Sequence, residues 1–161
     1  MQRLSMLLGI LVVLLAGCGD GDSPKAQEKT DGQQQQSALY KSDQLEITNG
    51  EGWTKKEEIE EPFNIRFEND NATVIISEIS NKKSVDEIKD ELIQSAGEVT
   101  ILNEGEDFVS FQTNRKESIR SDVAIERTNS ESRVIIFMTP TAEYENNKEK
   151  FDTFKENIHF K

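Results

Sequence analysis

Residues 63–80 read FNIRFENDNATVIISEIS and carry the strongest strand signal in the chain. In its first half, Phe63, Ile65 and Phe67 alternate with polar residues, which is the period of a strand with one buried face. The asparagines and aspartate at 69–71 favour a turn. The segment after them, ATVIISEIS, is more continuously apolar and is typical of a more buried strand. The sequence therefore predicts an antiparallel hairpin.

Residues 84–98, SVDEIKDELIQSAGE, carry the clearest helical pattern in the chain. Ser84 followed by Glu87 has the spacing of a capping box. Gly97 stands where a residue in the left-handed conformation commonly ends a helix. The apolar residues recur on one helical stripe, which comprises Val85, Ile88, Leu92, Ile93 and Ala96. The pattern predicts an amphipathic helix.

Further strands and a second helix are predicted around these two segments. DQLEITN precedes them as a short strand, and EVTIL with FVSFQTN and DVAIERT with RVIIFMT follow as two hairpins. After Pro140, Tyr144, Phe151, Phe154 and Ile158 fall at helical spacings. Short turns join only antiparallel neighbours. We therefore expect an α+β domain, with an antiparallel sheet flanked by both helices.

The N-terminal part of the chain has a different composition. Arg3 precedes an apolar run from Met6 to Ala16, which has the length of a signal-peptide core and is shorter than the roughly 20 residues that span a bilayer. From Gly19 to Ser37, Ala26 is the only apolar residue. Such a segment cannot bury enough surface to offset the entropy of ordering, so we expect a flexible tether.

The only cysteine of the chain is Cys18, and it follows Leu15, Ala16 and Gly17 directly. This run resembles the lipobox of bacterial lipoproteins, and the resemblance implies cleavage before Cys18 and a diacylglycerol on its thiol. A single thiol has no intramolecular disulfide partner, and two acyl chains suffice for stable anchoring. We expect a signal peptide at 1–17, a lipidated tether at 18–38 and one globular domain at 39–161. The protein would then lie on the extracytoplasmic face of a cell membrane.

The charge balance narrows the range of partners. The chain has 19 Lys and Arg against 31 Asp and Glu, a net charge of −12. Removal of residues 1–17 takes away Arg3 and no acidic residue, so the net charge becomes −13. Nucleic acids and anionic lipid surfaces bind proteins through Lys and Arg. We therefore expect no nucleic-acid partner, and instead attraction to cationic partners and weak association with divalent ions.

Motifs of catalysis and cofactor binding do not occur in the sequence. There is no GxSxG, GxxxxGK[ST] or GxGxxG run. His159 is the only histidine, and we expect it half-exposed at a helix C-terminus rather than in a catalytic triad. One cysteine and one histidine cannot form the usual structural zinc site, and GDGDSP at 19–24 departs from the EF-hand spacing. We predict no catalytic residue, no metal ligand and no cofactor.

The many carboxylates keep two alternatives open. Glu104, Glu106 and Asp107 in the NEGED turn would gather a cation if the turn brings them together, as in a divalent-cation-binding surface protein. Two carboxylates in one cleft would instead favour a small secreted hydrolase. The other charged residues are expected to be solvated, and they comprise Arg66, Glu68, Glu126, Arg127 and the mixed-charge segment 55–61.

The order of elements is similar to that of the PsbP and Mog1 superfamily over residues 39–161. The residues that carry the resemblance are Gly52 and Trp53 after the first strand, the mid-chain helix and the terminal FDTFKENIHF. The proline that often precedes that Gly-Trp pair is absent here. The resemblance implies an α/β/α sandwich, a core or turn-packing role for Trp53 and a non-enzymatic binding or assembly module. Some relatives assist photosystem II and others bind a small GTPase, but no motif brings either role to this chain. We expect a protein or envelope partner of unknown identity.

Overall fold

The structure is a computed structural model that describes residues 38–161. The described elements are β1 (Tyr40–Lys41), β2 (Leu45–Ile47), β3 (Thr54–Ile59), β4 (Asn64–Asn69), β5 (Ala72–Ser80), α1 (Val85–Ala96), β6 (Val99–Glu104), β7 (Phe108–Thr113), β8 (Ile119–Arg127), β9 (Glu131–Pro140), α2 (Tyr144–Glu156) and β10 (Ile158–Phe160). The predicted signal peptide, Cys18 and nearly all of the predicted tether lie outside the described residues.

The main sheet has seven strands in the order β3-β4-β5-β9-β8-β7-β6, and every neighbouring pair is antiparallel. The three predicted hairpins are present as β4–β5, β6–β7 and β8–β9. The central strand, β9, pairs with β5, which is distant in sequence because α1 and β6–β8 lie between the two along the chain. The antiparallel sheet expected from the sequence is thereby confirmed.

One face of the sheet is closed by α2. Residues directly opposite in an antiparallel pair share a face, and Val74 lies opposite Phe137 on this one. Phe151 and Phe154 of α2 are 6% and 1% exposed and belong to the same core as these strand residues. The first core therefore lies between α2 and strands β4, β5 and β9.

The other face of the sheet is closed by α1. Ile125 lies opposite Val134, and Val109 lies opposite Val123. These side chains form a second core with Ile88 of α1, against which the predicted apolar stripe of the helix packs. Since the two helices cover opposite faces, the α/β/α sandwich is confirmed.

The boundaries of α1 follow from its end residues. Ser84 Oγ accepts from the backbone N–H of Glu87 at 3.2 Å, and Glu87 Oε2 accepts from the backbone N–H of Ser84 at 2.7 Å. The predicted capping box is therefore present. Gly97 has a φ of +86° as expected, but its ψ is −139° rather than that of a left-handed helix. The prediction of a left-handed C-cap is thus wrong in ψ, although Gly97 does adopt the positive φ that favours glycine.

A second, three-stranded sheet has the order β1-β2-β10. Its strand β10 corrects the prediction of one continuous helix through Ile158, because α2 ends at Glu156. Ile158 lies opposite Ile47 and Phe160 lies opposite Leu45. The last residues can pair in this way because β2 offers a free edge, and their alternating apolar residues match the period of a strand.

The edge strand β3 was not predicted as regular structure. All six of its residues are exposed, so it has no buried face that would produce an apolar alternation in the sequence. Lys55 Nζ lies 2.6 Å from Glu58 Oε2 within the strand. The mixed-charge segment is therefore largely a solvated sheet edge, and charged side chains are a usual way of protecting such an edge.

Candidate functional site

A groove of about 370 Å³ lies between α2 and the turn that connects β2 to β3. The turn requires glycine, because Gly52 has a φ of +77° and a Cβ there would lie 2.7 Å from the side-chain nitrogen of Asn69. The backbone N–H of Trp53 donates to the carbonyl of Gly50 at 2.8 Å. This turn directs the Trp53 indole under α2.

The floor of the groove is aromatic and fixed. The ring centroids of Trp53 and Phe154 are 4.7 Å apart, and those of Trp53 and Phe151 are 6.2 Å apart. Trp53 is 8% exposed and belongs to the core, which confirms the role that the family resemblance implies for it. Its indole therefore supports the floor, and it offers little free surface for stacking on a ligand.

The rim of the groove is polar and carries both donors and acceptors. Lys150 Nζ lies 3.2 Å from Asp70 Oδ2 and 3.4 Å from Asn69 Oδ1. The other polar lining residues comprise Asn49, Glu51, Asn146, Glu149 and Thr153. Amides, carboxylates, a hydroxyl and one ammonium group suit hydrogen bonding to a polar ligand or to a segment of a protein.

The predicted position of His159 is wrong in part. The residue is exposed but lies in β10 instead of at a helix C-terminus. Its Nε2 is 3.2 Å from Thr48 Oγ1, and that hydroxyl donates to Asn157 Oδ1 at 2.9 Å. These hydrogen bonds join the residue after β2 to the C-terminal segment of the chain.

The acidic turn between β6 and β7 is contacted by a lysine of α1. Lys89 is 5% exposed, and its Nζ contacts Asp86 Oδ1 at 3.0 Å, Glu104 Oε1 at 3.1 Å and the carbonyl of Gly105 at 3.0 Å. The Asp86 and Glu104 hydrogen bonds raise the pKa of Lys89. Within residues 38–161, no group of three or more metal-binding side chains converges.

The remaining charged residues that the sequence singled out lie on strands. Arg66 Nη2 pairs with Glu68 Oε1 across the surface of β4. Arg127 is exposed and its Nη2 donates to the carbonyl of Asn81 at 3.3 Å, while Glu126 is also exposed. The solvated character predicted for Glu126 and Arg127 is confirmed, and Arg66 and Glu68 are half-buried.

The groove itself was not predicted from the sequence. Its residues come from the β2–β3 connection, the end of β4 and three turns of α2. Only the Gly52-Trp53 pair gave a signal, because a tryptophan directly after a turn glycine is conspicuous. The amides of the rim carry no spacing that distinguishes them from ordinary surface residues.

Residues 38–161 thus form an α/β/α sandwich with a polar surface groove over an aromatic floor. No family model matches the chain, and no curated protein matches it. The chain is similar to the solution structure of cyanobacterial PsbP (CyanoP) from Synechocystis sp. PCC 6803, with 18% identity and a TM-score of 0.42, over 73% of this chain and 86% of that chain. It is similar also to a crystal structure from Bacteroides thetaiotaomicron VPI-5482, with 15% identity and a TM-score of 0.42, over 73% of this chain. The chain spans 45% of the length of that Bacteroides protein.

Neither helix of the described part of the chain is long and apolar enough to cross a membrane.

Proposed function

We propose that this chain is a lipid-anchored protein of the extracytoplasmic face of a cell membrane, where it acts as a non-enzymatic binding or assembly module. The observation that carries the proposal is the position of Cys18, the only cysteine, directly after an apolar leader and the residues Leu15, Ala16 and Gly17. Such a leader directs export. A diacylated thiol then holds the domain at the membrane surface.

The groove beside α2 supports the binding part of the proposal. Its aromatic floor is fixed by the contact between Trp53 and Phe154, so the rim is presented on a rigid support. A rigid surface loses little conformational entropy on association. The polar rim can form hydrogen bonds with an envelope component or with a segment of a partner protein.

The anchor is tested by fractionation and intact-mass measurement of the full chain and of Cys18→Ala. We expect the native chain in the membrane fraction, without residues 1–17 and with the added mass of acyl chains. Cys18→Ala should be soluble or should retain its leader. Gly19→Ala is the matched control and should fractionate like the native chain. A Cys18→Ala variant that loses residues 1–17 and still stays in the membrane fraction, or a free thiol on the native protein, would contradict the proposal.

The binding role is tested by a photo-crosslinking residue placed in intact cells at exposed positions. Asn146 and Thr153 lie in the groove, whereas Thr100 lies on the edge strand β6 and serves as control. We expect the two groove positions to form a discrete adduct with the same partner, which Thr100 does not form. The same adducts at all three positions, or none at any of them, would speak against the groove as a binding site.

The alternative of a carboxylate-dependent hydrolase is favoured by one observation, since Glu78 and Glu131 line the same pocket. Arg133 Nε lies 3.7 Å from Glu78 Oε1 and 4.0 Å from Glu131 Oε1. A guanidinium group therefore already contacts both carboxyls, where a glycosidase would hold the scissile bond. We favour the binding module for this reason. Turnover of aryl glycosides that disappears in Glu131→Gln would reverse this preference.

A further inference from the structure

The strand β6 forms one edge of the seven-stranded sheet, because β7 is its only neighbour among the described strands. Its residues from Thr100 to Glu104 are all exposed. The outward backbone N–H and C=O groups of an edge strand are free to pair with a further strand. Within the described part of the chain, β6 is therefore an open edge.

Exposed apolar side chains are concentrated on this edge. The described chain has three exposed large apolar residues, and two of them, Ile101 and Leu102, are neighbours in β6 with an exposure of 42% each. The register with β7 shifts between Ile101 and Asn103, so Leu102 is the extra residue of a β-bulge. No charged residue occurs from Val99 to Asn103. The edge is thus uncharged along most of its length and apolar at its centre.

The opposite edge of the sheet, β3, differs from β6 in charge. It contains Lys55, Lys56, Glu57 and Glu58 in succession, and its exposed large apolar residue is Ile59. Charged side chains hinder the pairing of a further strand with a sheet edge. An assembly through β6 would therefore stop at two copies, because both of its outer edges would be the charged β3 strands.

The bulge decides which residues of two antiparallel β6 strands can face each other. Thr100 lies opposite Gln112 of β7, and Asn103 lies opposite Ser110. Since Gln112 and Ser110 are two residues apart in one strand, Thr100 and Asn103 share a face of the sheet. Side chains directly opposite in an antiparallel pair also share a face. Thr100 of one copy can therefore lie opposite Asn103 of a second copy, with the exposed apolar residues of both copies at the centre.

The charges at the two ends of β6 favour this antiparallel arrangement. The turn after β6 contains Glu106 and Asp107 and no basic residue. The other end has two acidic and two basic residues, which are Glu98, Glu117, Arg115 and Lys116. Antiparallel pairing places each acidic turn beside this balanced end of the other copy, with the two acidic turns about 24 Å apart and beyond the Debye length of about 8 Å. Parallel pairing would place the two acidic turns side by side.

We propose that the β6 edges of two copies of this chain pair antiparallel about a two-fold axis next to Ile101 and Leu102, which joins their main sheets into one. The occupant is a second copy because the uncharged centre of β6 is self-complementary and each acidic end meets a balanced end. One strand of six residues makes a smaller contact than a standard interface of roughly 1,600 Å², so the dimer is weak. The inference goes beyond the proposed function, and it rests on neither the lipid anchor nor the groove.

The test is disulfide crosslinking of the full chain. Two single variants, Thr100→Cys and Asn103→Cys, carry different affinity tags and are purified in a mild detergent. They are concentrated to about 0.5 mM, because the dimer is weak, and are oxidised with copper phenanthroline separately and as a mixture. The native chain gives the baseline, since Cys18 is its only cysteine. Glu57→Cys, in the other edge strand, is the control for random collision.

We expect the mixture of Thr100→Cys and Asn103→Cys to form a heterodimer at least about fivefold faster than either variant alone forms a homodimer. Opposite Cα atoms in an antiparallel pair are about 4.5–5.5 Å apart, which a disulfide can bridge. Two copies of Thr100 would lie about 10 Å apart along the strands, and a disulfide tolerates about 7 Å at most. Glu57→Cys should crosslink no faster than the native chain.

The apolar centre of the edge is tested by adding a charge to both crosslinking partners. Ile101→Lys should lower the heterodimer yield at least about fivefold, because a lysine would have to be placed within the paired edge. Ile59→Lys is the matched control, since Ile59 is 46% exposed in β3, and it should leave the yield unchanged. Circular dichroism checks that both variants fold like the native chain.

Three results would overturn the proposal. They are the absence of heterodimer above the native baseline, equally fast crosslinking of Thr100→Cys alone, and equal loss of heterodimer with Ile101→Lys and with Ile59→Lys. The second would show random collision or another arrangement of the strands. The photo-crosslinking at Asn146 and Thr153 reports on the groove, and a homodimer adduct at Thr100 differs in mass from a partner adduct. Failure here therefore leaves the proposed function standing, and the reverse also holds.

Discussion

Trp53 and Phe154 contact each other with ring centroids 4.7 Å apart and ring planes inclined at 59°. Trp53 directly precedes β3 and Phe154 lies in the last turn of α2, so the pair joins the start of the main sheet to the helix above it. The same two side chains line the groove. Stability of the core and rigidity of the candidate binding site therefore depend on one contact.

Trp53→Ala should lower the free energy of unfolding by about 3–5 kcal/mol, because it removes a buried aromatic side chain and leaves a cavity. Trp53→Phe should cost less, since a ring still faces Phe154. Urea denaturation followed by circular dichroism measures both. A double-mutant cycle with Phe154→Leu should give a coupling of about 0.5–1.5 kcal/mol. Strict additivity would mean that the two rings do not act together.

Asn147→Ala should lower the free energy of unfolding by about 1–3 kcal/mol, because it leaves the buried hydroxyl oxygen of Thr139 without its donor. Asn147 is 2% exposed, and its Nδ2 donates to Asn71 Oδ1 and to Thr139 Oγ1, both at 2.8 Å. Asn146→Ala, at the exposed neighbouring position, is the control and should change stability little. Equal stabilities of the two variants in urea would refute this account.

Ser84→Ala should destabilise the domain by about 1 kcal/mol, because α1 then loses the side-chain acceptor of its first turn. Ser95→Ala is the matched control, since Ser95 lies inside α1 with its Oγ donating to the carbonyl of Leu92 and alanine favours a helix interior. Thermal unfolding should show a lower Tm for the first variant only. If the Tm fell equally in Ser84→Ala and Ser95→Ala, the capping hydrogen bond of Ser84 would not account for the loss of stability.

Glu78→Gln should raise stability at pH 7 and raise it less at pH 4. Burial raises the pKa of Glu78 in the folded state, so the folded protein holds this proton more tightly than the unfolded chain does. The free energy of unfolding of the native protein therefore falls as the pH rises through the window between the ordinary pKa of 4.5 and the raised one. Glutamine does not titrate, so the Glu78→Gln variant lacks this part of the pH dependence of the free energy of unfolding.

Urea denaturation of Glu78→Gln and of the native chain at several pH values between 4 and 7 measures this difference. Glu106→Gln, in the exposed β6–β7 turn, is the control for the loss of one negative charge. A stability difference that shrinks as the pH rises would show that the carboxylate form of Glu78 is favoured in the folded protein.

Local sequence patterns predicted the hairpins and α1 because the interactions that fix them lie close together along the chain. Phe63, Ile65 and Phe67 alternate because one face of β4 is buried, and the Ser84–Glu87 pair closes within one turn of helix. In contrast, β3 has no buried face and β10 has only three residues. The sequence of β3 therefore has no strand period, and β10 is too short for its alternation to be distinguished from a loop.

The α+β class, the antiparallel hairpins and the amphipathic helix could be predicted from the amino-acid sequence, since each depends on periodicity and on contacts between near neighbours. The pairing of β5 with β9, the place of Ile158 in a sheet instead of a helix, and the burial of Lys89 against Glu104 emerged only from the folded domain. These outcomes depend on which surfaces meet after the chain has folded back. Contacts between residues distant in sequence depend on the packing of the whole domain, so they cannot be predicted from a local pattern of residues.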